Sequence, residues 1–155
     1  MKNNIEKKRL LIAGGGIIGV TLAREAALSG KFTKITIIEK EKALGTHAST
    51  RNSGVIHAGF YYNPDSKKAK FCSKGNELMR NYCMKNKLNV NKCGKVVVTR
   101  NASEEETLFK LYKRGINNGC EIKFLNKKSL KGYEPLASTY ENFLWSPNTW
   151  SASPN

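Results

Sequence analysis

The chain has 155 residues, with 27 lysines and arginines against 12 aspartates and glutamates, giving a formal net charge of +15. That length builds one domain with a real core and is short for a two-domain enzyme. No run of about 18 apolar residues is present, which excludes a transmembrane helix, and a polar, basic start without an apolar h-region points away from secretion and towards the cytoplasm. The charge invites a nucleic-acid reading. Its densest groups, however, are only Lys7-Lys8-Arg9, Lys67-Lys68-Ala69-Lys70 and Lys127-Lys128. No helix-turn-helix, zinc finger or aromatic RNA-binding signature accompanies them. A solvated lysine-rich surface is the expectation, with no nucleic-acid partner. The four cysteines, Cys72, Cys83, Cys93 and Cys120, show no C-x-x-C spacing. No metal is expected, and the thiols read as buried or idle in a reducing compartment.

Residues 1–8 read as a disordered lead-in. Residues 9–13 are apolar at consecutive positions, as a parallel strand covered on both faces requires. Gly14-Gly15-Gly16-Ile17-Ile18-Gly19 follows, then an Ala-rich helix over 17–29 and a second apolar strand over 34–39 that ends in a carboxylate, Glu39. The glycines divide the work. Gly14 permits a tight turn, Gly16 lets the backbone approach a pyrophosphate, and Gly19 lets the helix pack on the strand. The pyrophosphate would sit on the N–H groups and positive end of the helix that begins near Ile17. Gly30 is placed to end that helix. Glu39, about twenty residues beyond Gly19, is placed to accept hydrogen bonds from an adenosine ribose. An ordinary βαβ unit with a glycine-rich turn would leave Glu39 unexplained, so nucleotide binding is the reading.

Residues 40–54 form a long polar loop rich in small residues, of the kind that is usually functional in a compact domain. Residues 55–62 are apolar and aromatic and argue for order. Asp65 or Ser66 caps a helix to about residue 87, with Cys72, Met79, Tyr82 and Cys83 as its apolar face. A strand is expected over 94–100. Ser103 would then cap a helix whose stripe is Leu108, Leu111, Tyr112, Gly115 and Ile116, with Glu104, Glu105 and Glu106 in its first turn. It ends at Asn117-Asn118-Gly119. Residues 121–125 read as a strand, 127–132 as a helical turn and 143–146 as a last apolar piece. Residues 150–155 neither continue a strand nor cap a helix. The fold class is α/β: a Rossmann-like βαβ nucleotide-binding domain with the start of a second, α+β domain.

Several of these segments together resemble the L-2-hydroxyglutarate oxidase/dehydrogenase family, within the FAD-dependent oxidoreductases related to D-amino-acid oxidase. They are Gly14 to Gly19, Glu39-Lys40, Arg51-Asn-Ser-Gly-Val-Ile-His-Ala-Gly-Phe-Tyr-Tyr62, Asp65-Ser66 to Phe71-Cys72, and Asn91-Lys-Cys-Gly-Lys95. The stretch 52–62 is the most specific part. The resemblance implies FAD as cofactor, held by Gly14, Gly16, Ile18, Gly19, Glu39 and Lys40, and an acid at position 39 disfavours a 2′-phosphate. Ser49, Asn52, Ser53 and Gly54 would offer it hydroxyl, amide and backbone donors; simple turn formation is the plainer role for these residue types. It further implies oxidation of L-2-hydroxyglutarate to 2-oxoglutarate, with oxygen or a membrane quinone as electron acceptor and peripheral contact with the inner face of a membrane.

His57 and His47 are the only histidines. In the family reading His57 stands beside the flavin as general base; a structural role for it carries equal weight, and His47 reads as a solvated loop residue. Arg51 could bind a substrate carboxylate or face solvent. Tyr61 and Tyr62 could line a substrate pocket or pack at a core edge.

Family members continue beyond a Trp-Ser-Pro-x-Thr segment, here Trp145-Ser-Pro-Asn-Thr149, with a Gly-Ile-Val-type stretch that this chain lacks. The expected division is therefore 9–90 as the N-terminal part of the FAD-binding domain, 91–149 as the start of the substrate domain, and 150–155 as an aberrant tail of a truncated chain. The alternatives are a non-catalytic nucleotide-binding fragment and a related FAD-dependent oxidoreductase acting on an amino acid or glycerol 3-phosphate.

Overall fold

The computed structural model describes residues 8–153. The expected lead-in, apart from Lys8, lies outside the described residues, as do positions 154 and 155. The chain falls into two compact units, one ending at Ser53 and the other spanning Gly54–Ser153.

In the first unit, β1 (Lys8–Ala13) and β2 (Phe32–Ile38) flank the helix α1 (Ile17–Leu28). The strands pair in parallel, Leu10 opposite Ile35 and Ile12 opposite Ile37, as a βαβ crossover demands. Ser29 caps the C-terminus of α1, and Gly30 follows at φ +65°. The expected burial on both strand faces is not met. Ile12 is buried, but Leu11 is 62% and Ile38 55% exposed. Two strands and one helix leave apolar side chains that only further layers of such a sheet would cover.

The second unit carries two antiparallel sheets. β5 (Lys95–Val98), β7 (Asn142–Ser146) and β6 (Lys123–Asn126) form one, with β7 in the middle. Leu144 pairs with Val97 on one side and Phe124 on the other. Its buried side chain joins Ala58, Phe60, Leu108 and Ile122 in the core. The second sheet sets β8 (Trp150–Ala152) between the short strands β3 (Val55–Ile56) and β4 (Val90–Asn91). This corrects the expectation that the chain continues no strand from residue 150 onwards: over 150–152, Trp150 pairs with Ile56, and Ser151 with both Val55 and Asn91.

Ser66 caps α2 (Lys67–Lys85), its hydroxyl oxygen accepting from the Ala69 N–H at 3.1 Å. The face expected for this helix needs correction. Its buried line is Ala69, Asn76 and Cys83, spaced two turns apart, while Met79 and Tyr82 are exposed. The cap of α3 (Ala102–Asn117) is Asn101, not Ser103. The Asn101 side-chain oxygen accepts from Glu104 N–H at 3.2 Å, and Ser103 donates its hydroxyl to that same oxygen at 2.7 Å. Leu108 and Gly115 are buried as expected on α3, but Ile116, at the end of the stripe, is exposed. Residues 127–132 form a 3-10 turn at the expected place.

Candidate functional site

In the first unit the glycine loop turns as its composition requires. Gly14 sits at φ +103°, a conformation that disfavours any side chain, and its N–H donates to Ile38 O at 2.8 Å. A Cβ at Gly19 would collide with the carbonyl oxygen of Gly14, so only glycine lets α1 lie this close to the turn. Gly16 is the N-cap and supplies no side-chain acceptor. Its place is taken by Ser49, whose Oγ accepts from the Ile17 N–H at 2.9 Å. Ile18 projects to solvent, 80% exposed.

Glu39 reaches back to the same loop. Its Oε2 accepts from Gly15 N–H at 2.7 Å and its Oε1 from Glu41 N–H at 3.0 Å. These backbone donors, that of Glu41 foremost, hold its pKa below the ordinary carboxylate value. Lys40 is exposed, with Nζ 3.7 Å from Glu41. Gly16, Glu39, Gly45, Thr46, His47 and Ser49 line a recess of about 50 Å³. Asn52 donates its side-chain amide to Ala48 O and Ser49 O at 3.1 and 3.0 Å. Arg51 and Ser53 are exposed.

The residues present fit an adenine dinucleotide such as FAD. The first turn of α1 carries no acid, and its N–H end attracts an anion. A Cβ at Gly16 would crowd Ser49 Oγ at 3.1 Å. Each Glu39 oxygen that accepts one N–H keeps a second lone pair for a ribose hydroxyl.

In the second unit His57 follows β3. The partly desolvated ring and the Lys95 ammonium lower its pKa from the ordinary histidine value, which favours the neutral imidazole, the form that accepts a proton. Among the described residues nothing hydrogen-bonds the ring itself, but its backbone is tightly held. Cys72 Sγ donates to His57 O at 3.4 Å and Cys120 Sγ to Ala58 O at 3.1 Å. Asn76 and Asn118 also donate to this segment.

Gly54 O accepts from Ala152 N–H at 2.8 Å. Tyr61 lies with its ring 4.1 Å from that of Phe60 and under the Lys95 ammonium at 4.8 Å. Tyr62 O accepts from Asn118 at 2.9 Å. A cleft of about 320 Å³, whose lining includes Lys70, Ser73, Lys74 and Asn118, contains none of the predicted site residues.

The sequence reading missed Asn76, Arg80, Lys95 and Asn118. Asn76 did leave a signal: a polar residue at the centre of the line Ala69, Asn76, Cys83 demands buried partners. Among the described residues no group of three or more His, Cys, Asp or Glu could hold a metal, and no helix is long and apolar enough to cross a membrane.

A parallel βαβ unit with a glycine turn, a helix N-terminus free of acids and a carboxylate after its second strand defines a dinucleotide-binding fold. The FAD dependent oxidoreductase family model matches residues 9–155, and the chain belongs to that family, whose cofactor is FAD. The chain is similar to the mitochondrial L-2-hydroxyglutarate dehydrogenase of Dictyostelium discoideum, 44% identical over 140 residues that cover 89% of this chain and 31% of the relative. The human protein of the same name is 39% identical over 127 residues, covering 81% and 27%. These relatives bear out the resemblance seen in the sequence. Among solved structures, L-alpha-glycerophosphate oxidase from Mycoplasma pneumoniae with FAD bound superposes with a TM-score of 0.83 at 33% identity, over 96% of this chain and 40% of the other. The chain thus spans about a third of the length of the curated relatives it matches.

Proposed function

We propose that this chain is the N-terminal portion of an FAD-dependent enzyme that oxidises L-2-hydroxyglutarate to 2-oxoglutarate. The observation that carries the reading is the 44% identity to a relative named L-2-hydroxyglutarate dehydrogenase, over a stretch that includes His57. His57 takes the hydroxyl proton of the 2-hydroxy acid. FAD, when bound, accepts the hydride.

The chain's own residues do the rest. Gly14, Gly16, Ile18 and Gly19 shape the pyrophosphate seat, Glu39 and Lys40 engage the adenosine end, and Ser49, Asn52, Ser53 and Gly54 supply donors along the cofactor. Arg51 pairs with a substrate carboxylate, and Tyr61 and Tyr62 face the substrate. In the parent enzyme the FAD domain takes in 9–90 and the substrate domain begins within 91–149. Electrons pass to oxygen or a quinone. The enzyme works in the cytoplasm, in contact with the inner face of a membrane when a quinone is the acceptor, although the relatives above are named mitochondrial.

A second reading keeps FAD and replaces the substrate with glycerol 3-phosphate. It draws support from the 33% identity to the Mycoplasma pneumoniae oxidase.

The test is a visible spectrum of the purified chain mixed with FAD and passed through gel filtration. Retained flavin bands that bleach anaerobically with L-2-hydroxyglutarate, and not with glycerol 3-phosphate, are the expected result. Bleaching by glycerol 3-phosphate alone moves the assignment to the second reading. Retained flavin that neither substrate bleaches identifies a nucleotide-binding fragment without catalysis.

A further inference from the structure

Asn76 lies in the middle of α2 and is 7% exposed. Asparagine is a poor helix former, and a buried amide is tolerated only when its groups are paired. Here they are. Nδ2 lies 3.1 Å from Ile56 O, 3.2 Å from His57 O and 2.8 Å from Asn148 O. Oδ1 accepts from Arg80 Nε at 2.9 Å. Three carbonyl oxygens face one end of the amide and a guanidinium faces the other, so its orientation is fixed by chemistry.

Arg80 extends the grip. Its Nη1 donates to Asn148 Oδ1 at 2.7 Å, and its guanidinium lies 5.0 Å over the Trp150 ring. Cys72, one turn before Asn76 on the same face, donates to His57 O as well. The carbonyls of Ile56 and His57 belong to the two peptide units that flank the His57 Cα. Fixing both planes fixes the direction in which the imidazole leaves the backbone.

We propose that Asn76 is the positioning residue for His57, anchoring the peptide units on both sides of it to α2 and to the turn that leads into β8. The proposal rests on the reading of His57 as the base. No simpler side chain does the work: aspartate offers the carbonyls no donor, and leucine removes the one donor that reaches all three, leaving His57 O only the weaker Cys72 thiol.

The experiment follows the His57 ring by NMR across a pH titration of the isotope-labelled 155-residue chain, without cofactor or substrate. In Asn76→Ala the segment relaxes, the ring hydrates, and its titration midpoint moves up towards the ordinary histidine value. Leu130→Ala, a cavity at a buried site outside this network, leaves the midpoint where it is. An Asn76→Ala chain that folds with an unchanged His57 midpoint overturns the proposal. Should that variant fail to fold, the unaltered chain decides: the Asn76 side-chain amide protons are expected to exchange slowly with D₂O, and rapid exchange overturns the proposal equally. The base assignment fails separately, if His57→Gln keeps hydroxyacid-dependent flavin bleaching. That outcome leaves the positioning result standing.

Discussion

Ser49 Oγ closes the first turn of α1 from 32 residues away, accepting the Ile17 N–H at 2.9 Å. The polar loop after β2 is thereby stitched to the glycine turn, at the helix end where Gly16 offers no side chain. Ser49→Ala should cost about 1 kcal/mol or less in stability, as loss of a helix-cap acceptor does. It should also weaken retention of FAD. Urea melts and flavin fluorescence quenching check both, and a variant that matches the parent in each would show the stitch to be idle.

Glu39 carries a pH dependence of definite sign. Its pKa is depressed in the folded chain by the N–H groups of Glu41 and Gly15. A depressed carboxyl contributes stability that is present above its unfolded pKa and lost as pH falls through the folded one. Thermal melts from neutral to acid pH should therefore fall less steeply for Glu39→Gln than for the parent, and identical slopes would contradict the assignment.

Asn101 and Ser103 can be told apart by substitution. Asn101→Ala removes the acceptor of Glu104 N–H and should cost about 1 kcal/mol. Ser103→Ala removes only a donor that braces that acceptor, so its melt should shift less. The reverse ranking would restore Ser103 as the cap.

Lys95 acts on His57 through charge. Lys95→Met should raise the His57 pKa, because one of the two causes that lower it is removed. The acid limb of any hydroxyacid-dependent turnover should move to higher pH with it. The folded chain disfavours protonated His57, so His57 contributes stability above its ordinary pKa of 6.5 that is lost as pH falls. That acid-side loss should shrink in the variant.

What was legible in the sequence was local. The glycine turn, α1, β2 and Glu39 follow one another in the chain, and each has a residue type its geometry demands. The 3-10 turn and the start of α2 at Ser66 were legible for the same reason. The burial of β1 was misjudged because apolar runs announce a buried sheet without saying what covers it. The face of α2 was misread because its buried line includes Asn76, a polar residue whose partners lie in the distant segments 56–57 and 148. Asn101 and Ser103 are both good cap formers, and only the backbone decides between them. Strands β3 and β4 are two residues each, too short to show a period, and β8 becomes a strand only because they stand on either side of it.

That last arrangement governs the order of events in synthesis. A central strand drawn from Trp150–Ala152 reaches β3 only after every residue between Ile56 and Trp150 has left the ribosome. Until then Val55 and Ile56, next to His57, have no strand to pair with, and the pairing they await spans most of the sequence. Long-range antiparallel closure of this kind is slow and leaves strand edges open to other chains. The segment bearing the candidate base therefore takes its strand pairing only after α2, α3 and the β5–β7–β6 sheet have been made.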